Sequence, residues 1–109
     1  MRMHFSKLNI ALIALLSATA AYAGPGISTQ MTITQIGARD AGTDVSGTGF
    51  NNPYPCTNPN TFRIENSVSN GDMMRATVLT ARSLNRPVRA WVSGCGADGV
   101  SITTAIWMD

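Results

Sequence analysis

The first 23 residues set the terms for everything that follows, because they remove themselves from the folding problem. Met1 to Lys7 is short and cationic, Leu8 to Leu16 is an almost unbroken apolar run, and Ala18 to Ala23 is rich in small residues and ends Ala21-Tyr22-Ala23. That order is a secretory signal with an A-x-A-like cleavage site. A spanning helix needs about 20 apolar residues, and here Ser17, Thr19 and then Gly24-Pro25 interrupt the run. The expected product is therefore a single domain of residues 24–109, in the periplasm or outside the cell, with no membrane association after cleavage.

Export changes the meaning of the cysteines. Cys56 and Cys95 are the only two in the chain, and in an oxidising compartment an even count reads as a disulfide. Closing a loop of about 40 residues stabilises a small domain by roughly 4 kcal/mol in the loop-entropy picture. No CxxC spacing, lysine or histidine accompanies them in residues 24–109, so nothing is present to activate a thiol.

Composition then excludes whole classes of chemistry. Residues 24–109 hold six Arg, no Lys and no His, against Asp40, Asp44, Glu65, Asp72, Asp98 and Asp109. The basic balance of the full sequence belongs to the signal, so the footprint needed for nucleic acid is missing. Without histidine there is no Ser-His-Asp triad, Cys-His dyad or ordinary zinc site. Asp40 and Asp44 are the one close carboxylate pair. They fall in or beside a Gly- and Thr-rich stretch where aspartate commonly bonds backbone amides, and so read as solvated turn residues. Neither a calcium loop nor a phosphate loop is evident. No catalytic residue, metal or cofactor is expected.

Periodicity supplies the elements. Gly24 to Gln30 is a polar lead-in. Met31 to Ala38 alternates as a strand until the phase slips at Ile36, as a β-bulge would cause. A turn at Ala38 to Thr43 leads to a second strand, Asp44 to Phe50, whose Gly47 and Gly49 mark a bend. Asn51 to Asn60, with three prolines and four asparagines, reads as a loop pinned by Cys56. Thr61 to Glu65 is a third strand. From Asp72 to Leu84 the period becomes helical, with Met73, Met74, Val78, Ala81 and Leu84 on one arc and Arg75 and Arg82 opposite. Ser69, Asn70 and Asp72 offer caps, and Pro87 ends the helix. Val88 to Val92 and Val100 to Met108 are the fourth and fifth strands, joined through the Asp98-Gly99 hairpin chemistry.

Strand, strand, strand, helix, strand, strand is the order of a five-stranded OB-fold-like Greek-key barrel with its helix between strands 3 and 4, a mainly β (α+β) class. An α+β sandwich of the same elements is the competing architecture. Cys56, Phe62 and Ile64, then Met74, Leu79 and Ala81, then Arg86-Pro87-Val88-Arg89-Ala90-Trp91-Val92, resemble the small secreted B (binding) subunits of subtilase-type bacterial toxins. The resemblance implies an OB-fold protomer, a ring of protomers with helices lining a pore, and a glycan-binding face in which Ser28 takes the place of a family serine. The family's aromatic sugar contacts have no clear counterpart here.

Trp91 and Trp107 each fall on the face opposite their strand's aliphatic residues, and hairpin pairing would make them neighbours. They would form a second small core under the long loop, a subunit interface or a ligand platform. The candidate binding residues are Ser28, Arg89, Trp91 and Trp107. The function expected is a secreted, non-enzymatic binding module for a glycan or protein partner, with a homo-oligomer as one form; a monomeric periplasmic structural or accessory protein without a ligand site is the alternative. Intact mass of the exported protein should match a chain beginning at Gly24 and lacking two hydrogens, and free thiols in the native protein would contradict this reading.

Overall fold

A computed structural model describes residues 24–51 and 53–109; the expected signal segment, 1–23, lies outside the described residues. The chain is mainly β with one helix. Its elements are β1 (Gly26–Ile27), β2 (Thr32–Ala38), β3 (Gly42–Thr48), β4 (Asn58–Glu65), α1 (Gly71–Leu84), β5 (Val88–Cys95) and β6 (Val100–Met108). They form one sheet in the order β1-β5-β6-β4-β3-β2, all neighbours antiparallel except the parallel pair β4 and β6.

Six strands replace the expected five, and the helix follows the fourth. The difference lies in the supposed lead-in. Gly26 and Ile27 pair with Val92 and Trp91 of β5. The chain stays on β5 as it leaves them: the Ser28 N–H donates to the Ala90 carbonyl (2.8 Å), and Met31 and Val88 exchange both backbone bonds (2.8 and 3.0 Å). Since β2 then pairs with β3, the two ends of the sheet order are consecutive stretches of one run of chain, and the sheet curls back on itself. Backbone groups at Gly26 and Ile27 find partners that no side-chain pattern announces.

Boundaries moved where turn chemistry was read too broadly. The turn is only Arg39–Ala41, closed by Arg39 and Gly42 exchanging backbone hydrogen bonds (2.7 and 3.2 Å), so Gly42 and Thr43 belong to β3. The loop is shorter as well. Asn58, Pro59 and Asn60 already belong to β4, with Asn58 opposite Val100 and a register shift before Phe62; an irregular strand end tolerates the missing N–H of proline. The expected bulge in β2 is present, as a register shift between Ile33 and Gln35.

The enclosed core contains Met31, Ile33, Val45, Phe62, Ile64, Val88, Ala90 and Val92, with Met74, Val78 and Ala81 from α1. Phe50 and Phe62 meet with ring centroids 5.6 Å apart and planes at 48°, within the range favoured for offset aromatic pairs. Ser46 and Thr61 spend their hydroxyls on each other across β3 and β4 (2.8 Å). The helix packs mainly on β6 and ends at Asn85 in a left-handed conformation (φ 54°) whose N–H caps the last turn. Its buried arc is narrower than expected. Met74, Val78 and Ala81 are buried, but Met73 is 71% and Leu84 59% exposed, because both sit near one margin of the arc and a single sheet surface covers only one side of a helix. Arg82, opposite that arc, stays exposed as expected and also donates from Nη1 to the Ile33 carbonyl of β2 (2.8 Å).

Cys56 and Cys95 are joined, with S–S 2.04 Å and Cα–Cα 5.6 Å. The bond ties the segment before β4 to the end of β5. Close approach matters at Gly47, where a Cβ would strike the Thr32 carbonyl and the Met31 side chain. Gly47→Ala should therefore cost about 1 to 3 kcal/mol in urea denaturation, whereas Gly37→Ala, with open space at its Cβ position, should stay within about 0.5 kcal/mol.

Candidate functional site

The outward face of β1, β5 and β6 holds Ile27, Trp91 and Trp107, three of the large apolar side chains that the core does not use. Register places Ile27 beside Trp91, Trp91 opposite Ala105, and Arg89 opposite Trp107. With a side-chain period of two, Trp91 and Trp107 are diagonal neighbours on one face. Their exposures of 38% and 44%, with Ile27 at 45%, exclude a packed second core. The long loop has its own lining instead: Phe50, Tyr54, Pro55, Cys56 and Pro59 surround a cavity of about 230 Å³ there. The bulges flanking Val92 re-aim β5 locally. The first shift leaves Thr104 of β6 unpaired, and buried Thr103, opposite Val92, sets its hydroxyl 2.8 Å from the Trp91 carbonyl and 2.9 Å from that of Ala105.

Arg89 borders this aromatic face and is held by a fork. Its Nε and Nη2 donate to the two carboxylate oxygens of Asp109 at 2.7 and 2.9 Å, the bidentate geometry characteristic of arginine and carboxylate. Gln30 Nε2 donates to the same carboxylate (3.1 Å), and Arg86 Nε donates to the main-chain oxygen of Asp109 (2.6 Å). The Arg89 guanidinium, then the Gln30 amide, hold the Asp109 carboxyl below the usual carboxylate range against a smaller opposing effect of burial.

Ser28 is placed differently. Only 4% exposed, it lies between β1 and β2, where its Oγ accepts from the Ala90 N–H (3.0 Å) and donates to the Thr29 carbonyl (2.8 Å). Both capacities of the hydroxyl are spent in the seam with β5. Of the four candidate residues, then, Arg89, Trp91 and Trp107 share one surface and Ser28 stitches the strands beneath.

A second concave feature lies over β2, β3 and β4, a polar groove of about 280 Å³ lined by Gln35, Arg39, Asp44, Ser46, Asn58 and Thr61 among others. Beside it stands an ion cluster that the sequence did not reveal. Arg63, 6% exposed between Phe62 and Ile64, is the cross-strand partner of Asp44. Its Nε donates to Asp44 Oδ1 (2.6 Å) and its Nη2 to Asp98 Oδ2 (2.7 Å); Arg39 completes the set on Asp44 at 3.2 Å. Asp44 is thus not a solvated turn residue paired with Asp40 but a strand carboxylate neutralising a buried guanidinium. Hydrogen bonds to Asp44 and then Asp98 hold the Arg63 proton even more firmly than usual. The bond from Arg63 in turn depresses the Asp98 carboxyl. An Asp-Val-x run in one strand and an Arg flanked by core residues in the next was the available signal, but it needed the register to be read.

Among the described residues no helix is long and apolar enough to cross a membrane. No protein-family profile, characterised protein or solved structure gives a significant match to this chain.

Depressed carboxylates make stability pH-dependent with a definite sign. Asp98 and Asp109 have folded-state values below their unfolded ones, so their contribution is fully present above the unfolded value of about 4 and is lost as pH falls from there through the folded value. Acid titration followed by near-ultraviolet circular dichroism should show stability declining below about pH 4, and Asp98→Asn should flatten that decline. Arg63→Ala, which strands Asp44 beside the core, should cost about 3 kcal/mol or more at neutral pH.

Proposed function

We propose that this chain is a secreted or periplasmic, non-enzymatic binding module that recognises its partner through the face formed by Ile27, Trp91, Trp107 and Arg89. One observation carries the reading: two tryptophans stand more than a third exposed, side by side, on the outside of β5 and β6. Isolated exposed apolar residues are ordinary, but a contiguous aromatic patch bordered by a forked arginine has the composition of an interface centre. The return of the first strand onto β5, the parallel pairing of β4 with β6 and the helix before β5 support an OB-fold-like barrel in which β1 and β2 act as one interrupted strand. That barrel is also the protomer implied by the resemblance to toxin B subunits, and it carries the proposal of a homo-oligomer.

A second reading has a specific observation in its favour. OB folds bind ligands across their second and third strands, between the first and fourth connecting loops. Here those are β3 and β4 with the turns at Arg39 and Asp98, where the polar groove lies. The amide groups of Gln35 and Asn58, beside the paired hydroxyls of Ser46 and Thr61, suit the hydroxyls of a neutral glycan.

Solution mass by light scattering and a glycan array, applied to the exported protein and its variants, separate these outcomes. Trp91→Ala and Trp107→Ala should each weaken assembly or partner binding at least tenfold while changing unfolding free energy by about 1 kcal/mol or less, since truncating a fully buried Trp would cost about 3 to 5 kcal/mol. Glycan binding that survives both changes but fails in Ser46→Ala or Asn58→Ala would transfer the function to the groove. A monomer that binds nothing would return the chain to the accessory-protein alternative.

A further inference from the structure

The sheet order ends at β2, and the backbone on the far side of that strand can be followed residue by residue. Arg39 and Gly42 exchange both backbone bonds across the turn. Along an antiparallel ladder, Gly37 and Gln35 therefore also turn their N–H and C=O groups toward β3, while Ile36 and Ala38, opposite Val45 and Thr43, turn theirs away. Past the bulge the same outer row continues through Ile33 and Met31. Met31 spends both groups on Val88, and the Ile33 carbonyl accepts from Arg82 (2.8 Å). Among the described residues, no backbone or side-chain group answers Ile36 or Ala38 on that side. Ala38 is exposed and Ile36 half-buried. The strand Thr32–Ala38 also contains no proline and no charged residue, the usual means of keeping an edge from pairing.

What fits this edge is the edge itself. We propose that β2 pairs antiparallel with β2 of a second copy of the chain, about a two-fold axis at Gly37, so that two sheets become one. In that register Ile36 meets Ala38 of the other copy and Ala38 meets its Ile36, and each meeting exchanges both N–H···O bonds. The two open residues flank the axis residue, so the pairing satisfies both. Gly37 faces its own counterpart in a non-hydrogen-bonded pair, where Cα atoms approach to about 4.5 Å. The space beyond its Cα is empty, and it has no side chain to obstruct the approach. Gln35 and Arg39, on the same face as Gly37, lie opposite each other across the axis, so no like charges are opposed. On the other face Ile36 lies against Ala38. The bulge between Ile33 and Gln35 ends the regular row and fixes the register. Such a contact is isologous, unlike the head-to-tail contacts of a ring, and it is independent of the aromatic face. An edge this short makes a weak dimer, with a dissociation constant on the order of 10 to 100 µM. Because Gln35, Gly37 and Arg39 line the polar groove, pairing sets the grooves of the two copies side by side.

The test uses the exported, disulfide-bonded protein in sedimentation equilibrium across the micromolar to millimolar range, with circular dichroism and urea denaturation to show that each variant is folded. Wild type should pass from monomer to dimer. Gly37→Asp and Gly37→Lys each set like charges against one another at the axis, and each should raise the dissociation constant about fivefold or more. An equimolar mixture of the two variants should dimerise at least as well as wild type, because opposite charges then meet; only a contact in which residue 37 faces itself behaves in this way. Ala38→Pro removes an outward N–H without touching the β3 ladder and should also weaken the dimer. In wild type, hydrogen exchange at the Ile36 and Ala38 amides should slow as concentration rises, while the Gly37 amide, on the β3 side, stays constant. A monomer throughout the range overturns the inference. So does a Gly37→Asp variant that dimerises like wild type, or a mixture that associates no better than either variant alone. An assembly that survives Gly37→Asp but is lost in Trp91→Ala also overturns it and assigns self-association to the aromatic face, so the two surfaces fail separately.

Discussion

The fold depends on one short stretch of backbone, the run from Gly26 to Met31 that lies against β5. Without it β5 would present an open edge and β2 would hang from β3 alone. With it, Met31 and Val88 are both fully buried, the sheet has an inside and an outside, and the residues of every strand are sorted between them. Ser28 serves the same end by supplying a hydroxyl where the strand is interrupted, so that the break in pairing leaves no orphaned amide at Ala90.

Closure also decides what is left over. Once Val88, Ala90 and Val92 take the inside of β5, Arg89 and Trp91 must face outward, and the register with β6 sets Trp107 next to them. The aromatic face is thus a by-product of core formation in position, but not in residue type, since nothing in the sheet requires indoles there. The same logic isolates α1. Its inner arc seals one side of the core, while Met73, Leu79 and Leu84 remain outside, and Asp72 and Arg75 pair at 2.9 Å on the outer side.

Electrostatics is concentrated at two arginine forks, at opposite roles. Arg63 is enclosed and bound to Asp44 and Asp98, so it joins β3, β4 and the β5–β6 turn near the disulfide that ties the same turn region to the segment before β4. Arg89 is more exposed, and forks onto the Asp109 carboxylate at the sheet's outer face. Burial separates the two: removing a partner from Arg63 leaves a charge near the core, whereas removing Asp109 leaves Arg89 facing water.

Much of this was written in the sequence in local form. The disulfide followed from two cysteines and an expected export signal, the helix from its period and from Pro87 beyond its end, and the β2 bulge from the phase slip at Ile36. The outward placement of Trp91 and Trp107 followed from alternation, because a strand's two faces are fixed by a period of two. Tertiary structure alone decided the rest. Gly26 and Ile27 have no pattern of their own and became a strand because β5 offered unpaired backbone. Asp44 and Arg63 lie far apart in the chain and became partners through cross-strand register, and Asp98 joined them through a turn. Ser28 was assigned by position and proved to be committed internally, while Asp109 came to occupy the fork of Arg89. Periodicity reports which way a side chain faces, but which other side chain it meets depends on pairing between distant segments, and that information exists only once the chain has closed.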